Sequence, residues 1–162
     1  MTLSDSGMPP AGTIGSWPTG APQRPLLLVV DDQPANIYIL YEILKGSYDV
    51  RMATSGEEAL AFCQTQLPDL ILLDVVMPGI DGYEVCRRLK CDSLTRDIPV
   101  ILVSARDNPA DETRGLDGGA ADFIAKPVHA KVVLARVRTH LTVKFLSARL
   151  QILESGVGNA SM

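Results

Sequence analysis

The sequence predicts an α/β protein in which five strands and five helices alternate to form one parallel, doubly wound sheet. Short, wholly apolar runs at 26–30 and 70–73 are typical of strands that are buried on both faces. The stretches between such runs have helical periodicity and helix-capping residues. A β-α order that repeats five times requires crossover connections, which are right-handed, so the strands should run parallel.

Composition agrees with one globular domain plus extensions. The chain has 162 residues, of which 46% are hydrophobic and 21% charged. A formal net charge of -4 provides no general attraction to nucleic acid or to a membrane surface, so we expect neither as a partner. We find no apolar run of about 18 residues and no secretion signal. Three cysteines, Cys63, Cys86 and Cys91, do not suggest a disulfide framework, and the predicted location is cytoplasmic.

Residues 1–25 differ in composition from the rest of the chain. They include five prolines and four glycines among small polar residues, without apolar periodicity. Such a segment buries too little surface to offset its ordering entropy, so we predict a disordered N-terminal tail. Trp17, the only tryptophan, should be solvent-exposed or weakly docked.

The first two strand-helix units are read from apolar spacing and helix starts. After the strand at 26–30, Pro34 suits the first turn of a helix. A second strand is predicted at 48–52, and Ser55 with Glu58 forms a capping box that opens the next helix. The residues expected to face the core are Ile37, Leu40, Tyr41 and Leu44 in the first helix, and Ala59, Phe62 and Cys63 in the second.

The alternation continues through the second half of the domain. Asp81 and Glu84 form another capping pattern for a helix that continues to Lys90. Pro109 opens a helix that should stop at the glycine pair 118–119. The remaining strands are predicted at 70–73, 98–103 and 121–125.

The last predicted helix, from about Val128 to Glu154, is longer than one small domain needs. Its first half should pack on the sheet through Leu134, Val137 and Leu141. Residues 142–154 carry a second apolar stripe at 3-4-3 spacing, which is typical of a coiled-coil seam: Val143, Leu146, Leu150 and Leu153. We expect this extension to pair with a second copy or with a following domain; the alternative is a frayed, exposed helix end. Residues 155–162 should be flexible.

Polar side chains follow four of the predicted strands. Asp31 and Asp32 follow the first strand, and Asp74, Ser104 and Lys126 follow the third, fourth and fifth. Ligands of open α/β sheets bind outside the carboxyl ends of the strands, so these side chains should lie together. Three carboxylates repel one another unless a cation lies among them, and Mg²⁺ (or Mn²⁺) prefers such oxygen ligands. The hydroxyl and ammonium groups indicate an anionic ligand such as a phosphoryl group, with Asp74 as its nucleophile.

Over roughly residues 26–141 the chain resembles the receiver domain of two-component response regulators. The motifs that carry the resemblance are VVDD at 29–32, LLDVVMPGIDG at 72–82, VSA at 103–105 and FIAKP at 123–127. The resemblance implies a flavodoxin-like fold with strand order 2-1-3-4-5. It also implies that the Lys126-Pro127 peptide is cis.

The resemblance assigns a role to each acid of the site. It implies that Asp74 is the phosphoacceptor. Asp32 would be a direct Mg²⁺ ligand, and Asp31 would act partly through water. The carbonyl group of Val76 would complete the protein ligands of the ion.

Further roles follow from the same resemblance. Lys126 and Ser104 would contact the phosphoryl group, and Phe123 would be an aromatic switch that moves inward together with Ser104. The phosphoryl donor would be a sensor histidine kinase or a phosphotransfer protein, since His129 and His140 are predicted to lie on a helix surface. The long last helix is similar to that of receivers that precede cyclic-di-guanylate enzymes, which implies an output domain or protein.

Other functions are compatible with parts of this pattern. A phosphatase of the haloacid-dehalogenase type also uses an aspartate nucleophile, but it needs Asp-x-Asp and a cap domain, and Asp74 is followed by two valines. A phosphorylation-independent pseudo-receiver or a flavodoxin-like cofactor carrier is the other alternative; no glycine-rich phosphate loop follows the first strand, and the acids are intact. We therefore predict a signalling switch that catalyses only its own phosphorylation and dephosphorylation.

Overall fold

Five parallel strands form one sheet in the order β2-β1-β3-β4-β5, which confirms the strand order that the resemblance implies. The structure, a computed structural model, describes residues 17–105 and 109–160, without the side chains of 157–160. The elements are β1 (Leu26–Val30), α1 (Pro34–Leu44), β2 (Asp49–Ala53), α2 (Gly56–Thr65), β3 (Leu70–Asp74), α3 (Gly82–Cys91), β4 (Val100–Ser104), α4 (Pro109–Asp117), β5 (Asp122–Ala125) and α5 (Ala130–Ala160).

The three central strands are buried on both faces. Every residue of β1, β3 and β4 is buried, as their continuous apolar runs predict. Because alternate side chains of a strand point to opposite faces, Leu27 and Val29 pack with α1 and α5, whereas Leu28 and Val30 pack with α2 and α3. The sheet is therefore the middle of three layers, and its strand ends are fixed by packing on both sides.

Apart from the end of α5, element boundaries differ from the sequence prediction by at most two residues. β2, β4 and β5 each begin later than predicted. Pro99 explains the case of β4, because proline has no amide hydrogen for the ladder, and pairing with β3 starts at Val100. At α2, the side chain of Ser55 accepts a hydrogen bond from the N–H of Glu58 at 3.1 Å, as predicted. The Glu58 carboxylate, however, accepts hydrogen bonds from the N–H and hydroxyl groups of Thr54 and not from the N–H of Ser55.

Helix α5 buries Val137 and Leu141 as predicted, but its third predicted core residue, Leu134, is replaced by Val133. Val133 is completely buried, whereas Leu134 is 37% exposed and does not belong to the core. The buried residues recur every fourth position, and they are Val133, Val137, Leu141 and Phe145. The helix also continues to Ala160, so the flexible end predicted from residue 155 is helical as far as the structure describes it. No helix of the described residues is long and apolar enough to cross a bilayer.

The segment before β1 contacts the body of the protein. Of the two alternatives for Trp17, the docked one is observed: the indole is half-buried and lies edge-to-face against Phe145. Residues 17–25 of the predicted tail are therefore in contact with the fold. Residues 1–16, for which the disorder prediction was also made, and residues 161–162 lie outside the described residues.

Candidate functional site

Three carboxylates converge at the carboxyl ends of β1 and β3. Asp31, Asp32 and Asp74 each offer one oxygen, and these oxygens lie within 4.8 Å of one another. Val30 and Leu73 pair in the parallel ladder, so the acids that follow them are neighbours. Asp31 and Asp74 are buried and Asp32 is half-exposed. The predicted meeting of these acids at one edge of the sheet is confirmed.

Lys126 extends into this carboxylate cluster from the end of β5. Its Nζ atom lies 2.9 Å from Oδ2 of Asp31 and 3.5 Å from Oδ1 of Asp74. The Lys126 N–H donates to the carbonyl oxygen of Ser104 at 2.8 Å, which connects the ends of β4 and β5. Ser104 itself is completely buried. The Lys126-Pro127 peptide is cis, as the resemblance implies.

The electrostatic environment of Asp74 favours an additional cation. Burial raises the pKa of Asp74, and the neighbouring charge of Asp31 raises it further. Lys126 and the N–H of Val76 oppose this rise in pKa but do not cancel it. Asp31 also accepts a hydrogen bond from the N–H of Gln33 at 2.9 Å, which orients its carboxylate. A cluster that offers only oxygen donors and has excess negative charge fits a hard divalent cation such as Mg²⁺.

The loop after β3 depends on a glycine that the sequence analysis did not single out. The N–H of Gly82 donates to the carbonyl of Val75 at 2.8 Å. A Cβ atom at position 82 would lie 2.8 Å from Cα of Val75 and would also meet the backbone oxygen of Asp74. Only glycine lets α3 begin this close to the strand that presents Asp74. Its place directly after the N-cap Asp81 was the available signal.

Tyr83 is a second residue that the sequence analysis missed. Its ring is buried next to Gly115 of α4, and its hydroxyl donates to the carbonyl of Asp111 at 3.1 Å. The guanidinium carbon of Arg114 lies 4.3 Å from the ring centroid. Tyr83 therefore connects the start of α3, beside the site, to α4.

The remaining predicted residues occupy different positions relative to the carboxylate cluster. The side chain of Val76 is exposed, while its N–H bonds the Asp74 carboxylate. Phe123 is half-buried on β5 and borders a cavity of about 310 Å³ whose other residues include Glu112, His129 and Arg136.

The two histidines differ in their surroundings. His129 is exposed, as predicted. His140 is half-buried, and its Nε2 atom lies 2.9 Å from Asp122, which departs from the predicted helix-surface position. The reason is that Asp122, the first residue of β5, lies directly beside α5, where its carboxylate contacts both Arg136 and His140. Four exposed apolar side chains of α5 are the predicted seam residues Val143, Leu146, Leu150 and Leu153.

Comparisons with known proteins agree with this geometry. The family model described as the response regulator receiver domain matches residues 27–138. The response regulator PleD of Caulobacter vibrioides is 45% identical over 130 residues, which are 80% of this chain and 29% of PleD. A Vibrio cholerae protein named as a probable cyclic di-GMP phosphodiesterase is 42% identical over 118 residues, 73% of this chain and 27% of that protein. The chain thus spans less than a third of the length of these relatives.

Solved structures show the same fold. The crystal structure of a response regulator from Chloroflexus aurantiacus superposes with a TM-score of 0.71 at 38% sequence identity. The similarity covers 73% of this chain and 98% of that one. The part of this chain that has no counterpart in the comparison therefore lies largely outside the receiver fold.

Proposed function

The chain belongs to the response regulator receiver domain family, and from this premise we propose that it is a phosphorylation-dependent switch with Asp74 as phosphoacceptor. The observation that carries the proposal is the convergence of Asp31, Asp32 and Asp74 with Lys126 at one edge of the sheet. Three acids and one ammonium group form a site that can receive a phosphoryl group together with a cation.

Asp74 has the position of a nucleophile. One of its carboxylate oxygens attacks the phosphorus of the donor, and the bond from phosphorus to the leaving group breaks. For a phosphohistidine donor, the leaving group is an imidazole nitrogen. Mg²⁺ bound by Asp31, Asp32, Asp74 and the Val76 carbonyl would neutralise charge on the phosphoryl oxygens. Lys126 would supply a second positive charge to the same oxygens, a role supported by the 3.5 Å distance between its Nζ atom and Oδ1 of Asp74.

Ser104 and Phe123 are proposed to transmit the change. Ser104 ends β4 next to Asp74, since Val103 and Asp74 pair in the ladder. A phosphoryl group on Asp74 would draw in the Ser104 hydroxyl, and the half-buried ring of Phe123 on the neighbouring strand would move with it. The face formed by α4, β5 and α5 would then differ between the two states.

Labelling with acetyl phosphate tests the phosphoacceptor directly. Asp74→Asn should abolish incorporation of phosphate into the chain, and chelation of Mg²⁺ should abolish it in the unmodified chain. Asp117→Asn is the matched control because Asp117 is an exposed acid of α4, away from the carboxylate cluster. Equal labelling of the Asp74 variant and the control would refute the assignment.

The alternative of a phosphatase has less support at this site. The position two residues after Asp74 is Val76, whose side chain is exposed and carries no acid. The site therefore lacks the general acid that such an enzyme places there. We propose two kinds of partner from the family's signalling role alone. One is the sensor kinase or phosphotransfer protein that supplies the phosphoryl group, and the other is an output domain.

We further propose that the extension of α5 pairs with a second copy of the chain. The four seam residues are all exposed and have the 3-4-3 spacing that a coiled-coil partner would cover. With Val143 and Leu150 at position a of the heptad, Arg149 takes position g and Glu154 the following position e. In a parallel pair these two residues face each other across the seam as opposite charges, whereas an antiparallel pair would bring like charges together.

Sedimentation tests the pairing. In the presence of beryllofluoride, which mimics a phosphoryl group, we expect a shift from monomer to dimer that Leu150→Asp abolishes. Ala148 is exposed and takes position f of the heptad, on the side away from the partner, so Ala148→Asp is the matched control that should leave the shift intact. A monomer at all concentrations up to the millimolar range would refute the pairing without affecting the phosphoacceptor.

A further inference from the structure

Two segments outside the matched family region contact each other. Trp17 precedes residue 27 and Phe145 follows residue 138, which are the limits of the match to the receiver family. The ring centroids lie 5.4 Å apart and the ring planes are inclined by 80°, an edge-to-face arrangement that aromatic pairs prefer. The segment before β1 is therefore in direct contact with the start of the helical extension.

Arg138 completes a binding site for the indole ring. Its guanidinium carbon lies 5.3 Å from the centroid of the Trp17 ring, within the range of a cation–π interaction. Arg138 and Phe145 lie about two helical turns apart, so the indole lies along the length of α5 and not at one point. Trp17 and Ala21 also pack against the hydrophobic cluster between the sheet, α1 and α5.

The rest of the segment fixes the indole in place. The N–H of Ala21 donates to the carbonyl of Pro18 at 3.0 Å, and this turn contains Gly20 with φ of +94°, which favours glycine. The guanidinium group of Arg24 donates to carbonyl groups at the carboxyl end of α1, where a positive charge is favourable. Its acceptors are Lys45 at 2.7 Å, Tyr48 at 2.9 Å and Gly46 at 3.2 Å.

A separate contact holds the same part of α5 to the sheet. Nζ of Lys144 lies 3.2 Å from the carbonyl oxygen of Asp69 and 3.4 Å from its Oδ1. Asp69 in turn accepts the N–H of Leu26 at 2.7 Å. Lys144 and the buried ring of Phe145 hold this part of α5 from the side of the sheet, and Trp17 adds a contact about two turns long from the segment before β1.

We propose that residues 17–25 form a clasp that docks Trp17 between Arg138 and Phe145 and so fixes the helical extension relative to the sheet. Release of Trp17 would loosen the start of the extension, which Phe145 and Lys144 would then hold alone, while the receiver core stays folded. The clasp requires neither phosphorylation nor pairing of the extension, so its test is independent of both.

Fluorescence of Trp17, the only tryptophan of the chain, reports directly on docking. Emission of the native chain should be blue-shifted relative to the urea-unfolded chain, with lower quenching by acrylamide. Arg138→Gln and Phe145→Ala should each raise the quenching constant by about twofold or more, towards the unfolded value. Arg149→Gln and Leu146→Ala are matched controls on the extension and should leave quenching unchanged.

Phe145 is buried, so circular dichroism must show that Phe145→Ala keeps the native fold. If that variant does not fold, Arg138→Gln alone decides the test, because it removes no core residue.

Amide hydrogen exchange of Trp17→Ala gives a second test. Exchange in residues 142–150 should be about tenfold faster, with exchange in β1 and β3 unchanged. Native quenching equal to that in urea, no change in Arg138→Gln, or unchanged exchange in Trp17→Ala would overturn the proposal.

Discussion

The ammonium group of Lys126 lies 2.9 Å from a carboxylate oxygen of Asp31. The same ammonium group is 3.5 Å from a carboxylate oxygen of Asp74, so its closer ion pair is with Asp31. Both acids are buried, and salt screens such a pair far less than it screens surface charges. Lys126 therefore neutralises part of the carboxylate cluster and competes with a divalent cation for the oxygens of Asp31.

Replacement of Lys126 by methionine tests this competition. Lys126→Met removes the charge with little change in volume, so Mg²⁺ should bind about tenfold more tightly, while phosphate incorporation at Asp74 should fall. Isothermal titration calorimetry measures the affinity. Lys45→Met, at an exposed lysine that pairs with Glu42, is the control and should bind Mg²⁺ like the unmodified chain. Weaker binding by Lys126→Met would contradict the competition.

Two glycines give a matched test of the packing under Asp74. Gly82→Ala places a methyl group against the backbone of Val75 and Asp74, and should lower the free energy of unfolding by about 2 kcal/mol, because neither backbone can yield easily. Gly46→Ala meets nothing within 4 Å, so its effect should stay within about 1 kcal/mol and could be stabilising. Urea unfolding measures both. Equal stability of the two variants would show that α3 can move away from β3 at little cost.

Asp122 should make folding stability depend on pH in the acid range. Burial alone raises the pKa of Asp122, but hydrogen bonds from His140, the Phe123 N–H and Arg136 outweigh burial and hold the pKa below its usual value. A lowered pKa in the folded state means that the stabilisation is present above the usual aspartate range and is lost as the pH falls through the folded-state pKa.

The corresponding variant is Asp122→Asn. At pH 7 it should lower the free energy of unfolding by about 1–2 kcal/mol, a value reduced because Arg136 is half-exposed. Below the usual aspartate pKa of about 3.9, the difference from the unmodified chain should shrink. Chemical unfolding at both pH values measures it, with Asp117→Asn as control. A difference that is independent of pH would assign the effect of the substitution to packing instead of charge.

Charge reversal tests the parallel orientation of the extension. Arg149→Glu and Glu154→Arg should each weaken beryllofluoride-dependent pairing by about threefold, and the double reversal should restore it, because a g–e pair depends only on opposite signs. Sedimentation equilibrium gives the dissociation constants. If the single reversals leave pairing unchanged at low salt, the two residues do not face each other and the parallel arrangement is wrong.

Much of the site followed from sequence because it depends on topology. Parallel strands place their carboxyl ends at one edge, so acids after β1 and β3 and a lysine after β5 had to meet wherever the strand order brought those ends together. The role of Gly82 was not predicted, because spacing does not reveal how closely a helix approaches the strand before it.

The sequence by itself determined the order of elements, the buried central strands and the residues that start α2 and α3, because these depend on local periodicity and capping. Only the tertiary structure decided that Val133 and not Leu134 faces the sheet, since neighbouring apolar residues satisfy the same period. The tertiary structure likewise decided that Trp17 contacts Phe145. That contact joins residues 128 positions apart, and no local pattern encodes it.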